Sequence, residues 1–362
     1  MWIENLIVKD CRLLNKVNIK FSPHLNVIVG ENASGKTSLL ESLSLLSSGR
    51  SFRTSHITDV ISYESESILV SAKIQSETDS SQIGIQKNKN KTKIRINQQN
   101  VFSQAELSLH LPITVIHPGS IDLITGSPKL RRAYLDWIAF YLYPDFHSKW
   151  KTYQHILKQR NICLKNRKHR QSLQKWTLEL IELQPQINDY RVSALEVLKK
   201  SWLNITDQLF TDIEFDIEFK SGFPDNIKLD HESLSQYYSS RQDYDLRIQR
   251  TSGGVHRADF RLIMNKKAAV DIASRGQLKL LAISLLLAQS LSINNKKSEK
   301  GILLIDDLAA ELDSKNKEKL LDYLSTLQQQ LIVTMTKLSK LPVLDNKVFH
   351  VKHGEFREFS DD

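Results

Sequence analysis

The chain has 362 residues, 40% of them hydrophobic and 25% charged, with 12 glycines, 8 prolines and 2 cysteines, a composition that excludes disordered, fibrous and disulfide-stapled classes. No cysteine or histidine cluster has metal-ligand spacing, so zinc chemistry drops out and a reducing compartment is expected. The formal net charge of +9 favours anionic partners. No run reaches the ~18 apolar residues of a membrane span, so a cytoplasmic protein without a membrane partner is expected.

In chain order, residues 2–9 (Ile3, Leu6, Val8) and 15–21 (Val17, Ile19, Phe21) carry strand-like apolar patterns, and 25–29 reads as a third strand, so a sheet opens the protein. Segments 68–74, 82–86 and 92–96, separated by polar turns, predict an antiparallel meander attached to that sheet. From Pro128, which suits the first turn of a helix, to about Lys200 the pattern is helical. Alternation returns at 210–219, and 274–292 reads as a long apolar helix. Residues 302–305 form a buried-strand run, 314–327 a helix and 331–335 a β-branched strand. Strand, helix, strand in that order predicts a βαβ unit in a mostly parallel sheet. No heptad pattern is sustained, so no long coiled coil is expected.

The charge excess is local. Between Lys129 and Lys200 stand 15 basic and 6 acidic residues, which leaves 35 of each sign elsewhere. From Phe146 to Leu178 nine basic residues (Lys149, Lys151, Lys158, Arg160, Lys165, Arg167, Lys168, Arg170 and Lys175) occur without one acid, interleaved with Trp150, Tyr153 and Trp176. Such a stretch suits a nucleic-acid backbone, which rewards cations with counterion release. The competing reading is a solvated helix face whose Lys and Arg stems cover apolar neighbours.

Gly30, Glu31, Asn32, Ala33, Ser34, Gly35, Lys36 and Thr37 match G-x-x-x-x-G-K-[ST] between a strand and a helix, the context a phosphate-binding loop requires. The glycines let successive N–H groups face a phosphate, and the helix N-terminus adds its dipole. Lys36 is expected at the β- and γ-phosphates of ATP, and Thr37 at Mg²⁺. The run 302–305 ends in Asp306 and Asp307. Asp306 is the second metal-side residue, and Asp307 is placed to polarise the attacking water as a general base. Between these motifs lie Ser274, Arg275, Gly276 and Gln277 at the mouth of the long helix. This is either an anion-binding element or a serine N-cap.

This assembly resembles the α/β heads of ABC-type ATPases of the SMC branch, and more closely the RecF family. The family stretches are Pro118 with 126–136 (Gly126 through Asp136), 157–161, 254–257 and 273–279, followed by Asp306-Asp307 and Glu311-Leu312-Asp313. Asp307 stands where many ABC-type ATPases have glutamate, and Thr334-Met335-Thr336 carries no histidine where those ATPases often place one. The resemblance implies a P-loop ABC-type ATPase head with a mixed sheet plus a helical second lobe. On this reading 1–128 and 251–362 are the halves of the head and 129–250 is the basic arm. It implies a slow, DNA-stimulated ATPase of recombinational repair and replication that binds double-stranded or gapped DNA as an ATP-closed homodimer. Such proteins act with RecR and RecO and help load the recombinase RecA. In the dimer, Ser274, Arg275 and Gly276 of one chain would close over the γ-phosphate held by the other. The alternatives are the nucleotide-binding subunit of an ABC transporter, against which the basic arm speaks, and another P-loop NTPase such as a kinase, which would leave 274–277 without a role.

Overall fold

A computed structural model describes residues 1–77, 79–166, 170–295, 300–307, 312–337 and 346–359. Arg167, Lys168, the side chain of Arg170, and Glu311 lie outside the described residues. The contacts divide the chain into two compact units, Met1–Ser120 with Asp207–Leu209 and Lys279–Asp362, and Ile121–Thr206 with Phe210–Leu278.

The first part of the chain forms β1 (Trp2–Cys11), β2 (Leu14–Lys20), β3 (Leu25–Val29), α1 (Lys36–Ser48), β4 (Ile68–Gln75), β5 (Ser80–Lys87), β6 (Thr92–Ile96), β7 (Gln99–Val101), α2 (Gln104–His110) and β8 (Ile113–Ile116). The middle is mostly helical: α3 (Asp122–Thr125), α4 (Pro128–Leu142), α5 (Phe146–Lys165), α6 (Arg170–Leu209), β9 (Phe215–Lys220), α7 (His231–Ile248), β10 (Asp259–Met264), β11 (Lys267–Ala268), α8 (Ala269–Ile272) and α9 (Arg275–Asn294). The remainder is β12 (Ile302–Ile305), α10 (Ser314–Ser325), β13 (Leu331–Met335), β14 (Lys347–Lys352) and β15 (Glu355–Glu358).

The first unit holds two sheets. One is antiparallel, in the order β2-β1-β4-β5-β6-β7, and is the expected meander paired to the opening hairpin. A register shift between Ile3 and Asn5 lets both Ile3 and Leu6 face the core, although three positions separate them. The third opening strand, β3, does not join this sheet. It enters the second, ordered β15-β14-β3-β13-β12-β8, in which every pair but β14/β15 is parallel. The sheet is therefore mixed, and β12-α10-β13 is the βαβ unit read from the sequence.

Both sheets bury apolar faces on α1, whose Leu39, Leu40, Leu43, Leu45 and Leu46 are all inaccessible. The helix packs on β1, β4 and β5 of the first sheet and on β8 and β13 of the second. Its Ser38, Glu41, Ser42, Ser44 and Ser47 are buried as well, so the helix is enclosed nearly all round. Cys11 and Cys163 are both free and buried, and burial pushes the Cys11 thiol up to about 12.

The second unit reaches further than 129–250 on both sides. Its strand β9 pairs along its whole length with β10, from Phe215↔Met264 to Lys220↔Asp259, so the returning segment accompanies it. The strand begins only at Phe215, because α6 runs to Leu209. The described part of α9 is long and apolar enough to cross a membrane, which the sequence expectation missed; most of it is buried inside the protein, as in a core helix.

Arginines hold the second unit together from within. Arg160 is 1% exposed, pairs with Asp245 at 2.9 Å, donates to Thr177 and Thr251, and stacks over the Tyr238 ring. Arg191 grips Asp136 through two bonds of 2.7 and 3.0 Å and stacks over Trp150. His256, within the 254–257 stretch, is part of this interior. Its ring bonds the Tyr153 hydroxyl at 2.8 Å and the Thr251 carbonyl, and burial pulls its pKa down to about 4.

A histidine that stays neutral when folded but titrates near its usual value when unfolded makes the unfolded chain the better proton binder between those values, so stability falls on acidification. Between pH 7 and 5 His256 should cost about 2 kcal/mol of stability. Denaturant unfolding of wild type should therefore lose that much more than His256→Gln over the same interval.

Candidate active site

The phosphate-loop motif sits where β3 leaves the second sheet. Val27, Ile28 and Val29 are buried, so the strand is fixed on both faces up to Gly30. The Gly30 N–H donates to the Met335 carbonyl, and a Cβ at Gly30 would lie 2.5 Å from the Val351 carbonyl oxygen and 2.7 Å from Ser34 Oγ. Ala33 and Gly35 take positive φ, 62° and 113°, which curls the backbone back on itself. The helix α1 starts at once, with no side-chain cap from Gly35. Its first-turn N–H groups and positive dipole end are thereby left to an anion. Ser34 Oγ is buried without a hydrogen-bond partner, so the loop holds a polar group that a bound phosphate would satisfy.

Lys36 is buried, and its ammonium donates to the carbonyls of Gly30 at 2.7 Å and Glu31 at 2.8 Å. Burial lowers its pKa, and the fields of Asp307 and Asp306 oppose that shift. Asp306 and Asp307 are thus electrostatic neighbours of the loop lysine, although some 270 positions separate them in the chain.

Sheet order explains the meeting. Strand β13 lies between β3 and β12, all three parallel, so their C-terminal ends come side by side. Thr37 Oγ1 donates to the Asp306 carboxylate, 3.0 Å from each oxygen. Thr334 Oγ1, from the end of β13, donates to Asp306 Oδ1 at 2.8 Å and accepts the Asp307 N–H at 2.8 Å. Asp307 itself takes a φ of 53°, a left-handed conformation that costs a non-glycine residue energy and recurs at functional sites.

A hydroxyl and a carboxylate side by side are the hard oxygen donors of a Mg²⁺ site, in which phosphate and water supply the other ligands. Thr37 and Asp306 could hold such an ion, and the uncapped loop could hold its phosphates. Sequence reasoning missed Thr334, having marked 334–336 only for lacking a histidine. The signal was a hydroxyl in an otherwise apolar strand. A second omission is the pairing of Arg12 with Glu41 on α1, a carboxylate that also accepts from Ser51.

Ser274, Arg275, Gly276 and Gln277 belong to the second unit. Ser274 Oγ accepts the Gln277 N–H at 3.2 Å and Gln277 Oε1 accepts the Ser274 N–H at 2.8 Å, a reciprocal capping box that starts α9. The capping reading is thus met in the geometry. Ser274 and Arg275 are exposed, a Cβ at Gly276 would meet nothing within 4 Å, and Val270 and Ile272 close by are large exposed hydrophobics.

The family model of the RecF/RecN/SMC N-terminal domain matches residues 2–355. The DNA replication and repair protein RecF of Psychromonas ingrahamii is 36% identical over 359 residues, covering 98% of this chain and 99% of its own. The chain belongs to the RecF family. The RecF of Cellvibrio japonicus is 33% identical over 365 residues, 98% of each chain. Among solved structures, the recombination mediator protein RecF with ATP superposes with a TM-score of 0.88 at 28% identity, covering 99% of this chain and 98% of that one. The Smc head domain of Pyrococcus furiosus, at 17% identity and a TM-score of 0.58, shares the fold.

Several RecF-family stretches prove to be the frame of the second unit. Arg131 pairs with Asp259 at 2.7 Å, Arg132 donates to the Ala258 carbonyl, Asp136 receives Arg191, and Asn161 Oδ1 accepts both the N–H and the hydroxyl of Thr251. Burial raises the pKa of Asp136 despite the arginine beside it.

Thr334→Val removes the hydroxyl that orients Asp306 while keeping the strand's shape. By analogy with outer-shell hydrogen bonds at metal sites, the Mg²⁺ concentration that half-saturates nucleotide binding should rise about 10- to 100-fold. Thr334→Ser should restore it in the same titration.

Proposed function

We propose that this chain is an ATP-driven DNA-binding protein of recombinational repair and replication, working in the cytoplasm at double-stranded DNA that contains gaps. In this reading it closes as a homodimer on ATP, cooperates with RecR and RecO in helping to load the recombinase RecA, and releases its DNA after slow, DNA-stimulated hydrolysis. The observation that carries the nucleotide part is the convergence of Thr37, Asp306 and Thr334 beside a phosphate loop whose Ser34 hydroxyl lacks a partner. Relatives named for DNA replication and repair, and a structural neighbour named for its complex with ATP in the RecFOR pathway, support the rest.

Each residue then has a task. The backbone of Gly30, Glu31, Asn32, Ala33, Ser34 and Gly35 wraps the β-phosphate, and Lys36 leaves its two carbonyl partners for the β- and γ-phosphates. Bound Mg²⁺ supplies charge neutralisation at the phosphates, and Thr37 with Asp306 holds it. Asp307 takes the proton of the attacking water, with its backbone fixed through Thr334. One phosphate loop and one exposed Ser274-Arg275-Gly276 element per chain make complete sites when two chains face each other. The exposed Val270 and Ile272 beside that element suit burial in such an interface. Gln277 serves by holding Ser274 in its cap.

Light scattering with a non-hydrolysable ATP analogue and Mg²⁺ should report a dimer for wild type and a monomer for Lys36→Ala. A wild-type monomer at saturation rejects the closed-dimer reading. Asp307→Ala should retain the dimer and lower the single-turnover hydrolysis rate by about 10²- to 10⁴-fold; an unchanged rate removes the general-base role.

A further inference from the structure

We infer that the outward face of α5 grips the phosphates of duplex DNA through Lys151, Lys158 and Lys165. The inference rests on the DNA-binding reading above and assigns that role to one helix face. The acid-free basic stretch is not a uniform patch. Arg160 is spent inside the unit on Asp245, Lys149 donates to the Tyr190 hydroxyl, and Lys175 lies over the Trp176 ring with Glu179 at 3.9 Å. Lys151, Lys158 and Lys165 are exposed and have no ion-pair or hydrogen-bond partner among the described residues.

These three stand seven residues apart. Seven residues fall only about 20° short of two full helical turns, so the lysines form one stripe, about 10.5 Å between neighbours and about 21 Å long. The twenty residues of α5 include no acid to offset them. Between the lysines the exposed positions are Thr152, Gln154, His155 and Ile162.

The opposite face fixes the helix. Tyr153, Ile156, Arg160, Cys163 and Leu164 are buried, with Tyr153 bonded to His256 and Arg160 to Asp245 and Thr251. The stripe is therefore carried on a rigid rod with mobile stems. Duplex DNA carries one charge per about 1.7 Å of its axis, so a 21 Å stripe lies opposite about a dozen phosphates. Lysine is a compact point charge on a flexible stem and needs no fixed base or phosphate register, which suits backbone contacts that position the protein without reading sequence.

The test is the salt dependence of affinity for a gapped duplex, measured by fluorescence anisotropy with the full chain, Mg²⁺ and a non-hydrolysable ATP analogue. The variant is Lys151→Gln/Lys158→Gln/Lys165→Gln, with its melting curve as the check on folding. Three lost phosphate contacts should reduce the slope of log affinity against log salt by about 2.7 for each chain engaged. Lys220→Gln/Lys266→Gln/Lys267→Gln, which removes the same charge from β9, the β10–β11 turn and β11, should leave the slope unchanged. Equal slopes for wild type and the α5 variant overturn the assignment while the DNA reading stands. A control that falls as far as the α5 variant overturns it as well, by tracing the effect to net charge. Wild type that does not bind the duplex at all overturns the DNA reading and this inference with it.

Discussion

The carboxylate of Asp306 is the fastening on which the first unit depends. It takes one hydroxyl from the helix that follows β3 and another from the end of β13, and so ties together the tips of three parallel strands. A nearly buried carboxylate is costly unless its oxygens are satisfied, and here both are. Because β12 slots in beside β13, the chain between Thr37 and Asp306 can include a whole second unit without disturbing the place where the two motifs meet. A long excursion of the chain costs little when its ends are fixed by a sheet.

The second unit applies similar physics to the opposite sign of charge. Arg160 and Arg191 are among the largest fully buried side chains, and both are paired, hydrogen-bonded and stacked on an aromatic ring. The guanidinium suits this because it offers a planar fork of donors and is more weakly hydrated than an ammonium. Removing one partner of such a pair would strand the other without water, so the pairs enforce one packing of α4, α5, α6 and α7. It also follows that counting basic residues overstates a surface. In the acid-free stretch, Arg160 serves the interior while Lys151, Lys158 and Lys165 face outward.

What could be read from residue order was what is encoded locally. The phosphate loop was legible because its spacing is a property of eight consecutive residues, and the βαβ unit because its strands are continuously apolar. The departure of β3 from the opening hairpin was hidden, since it depends on pairing with Leu331–Met335 and Lys347–Lys352 far along the chain. Thr334 was hidden for the same reason: its importance comes from a neighbour supplied by another strand. The arm's reach to Leu278 follows from the β9/β10 pairing, which alternation alone does not announce. Ser274 is instructive in another way. Its capping bond with Gln277 is local and readable, and it leaves Arg275 and Gly276 outward-facing.

The shelter given to both sulfurs has a practical side. Cys11 lies in the core of the first unit, its thiol held protonated far above neutral pH, and Cys163 faces inward from α5. Thiolate is the species that alkylating reagents and peroxide attack. The folded molecule thus presents almost nothing to a maleimide, and a single cysteine introduced on its exterior would accept a fluorophore cleanly with the native pair left in place.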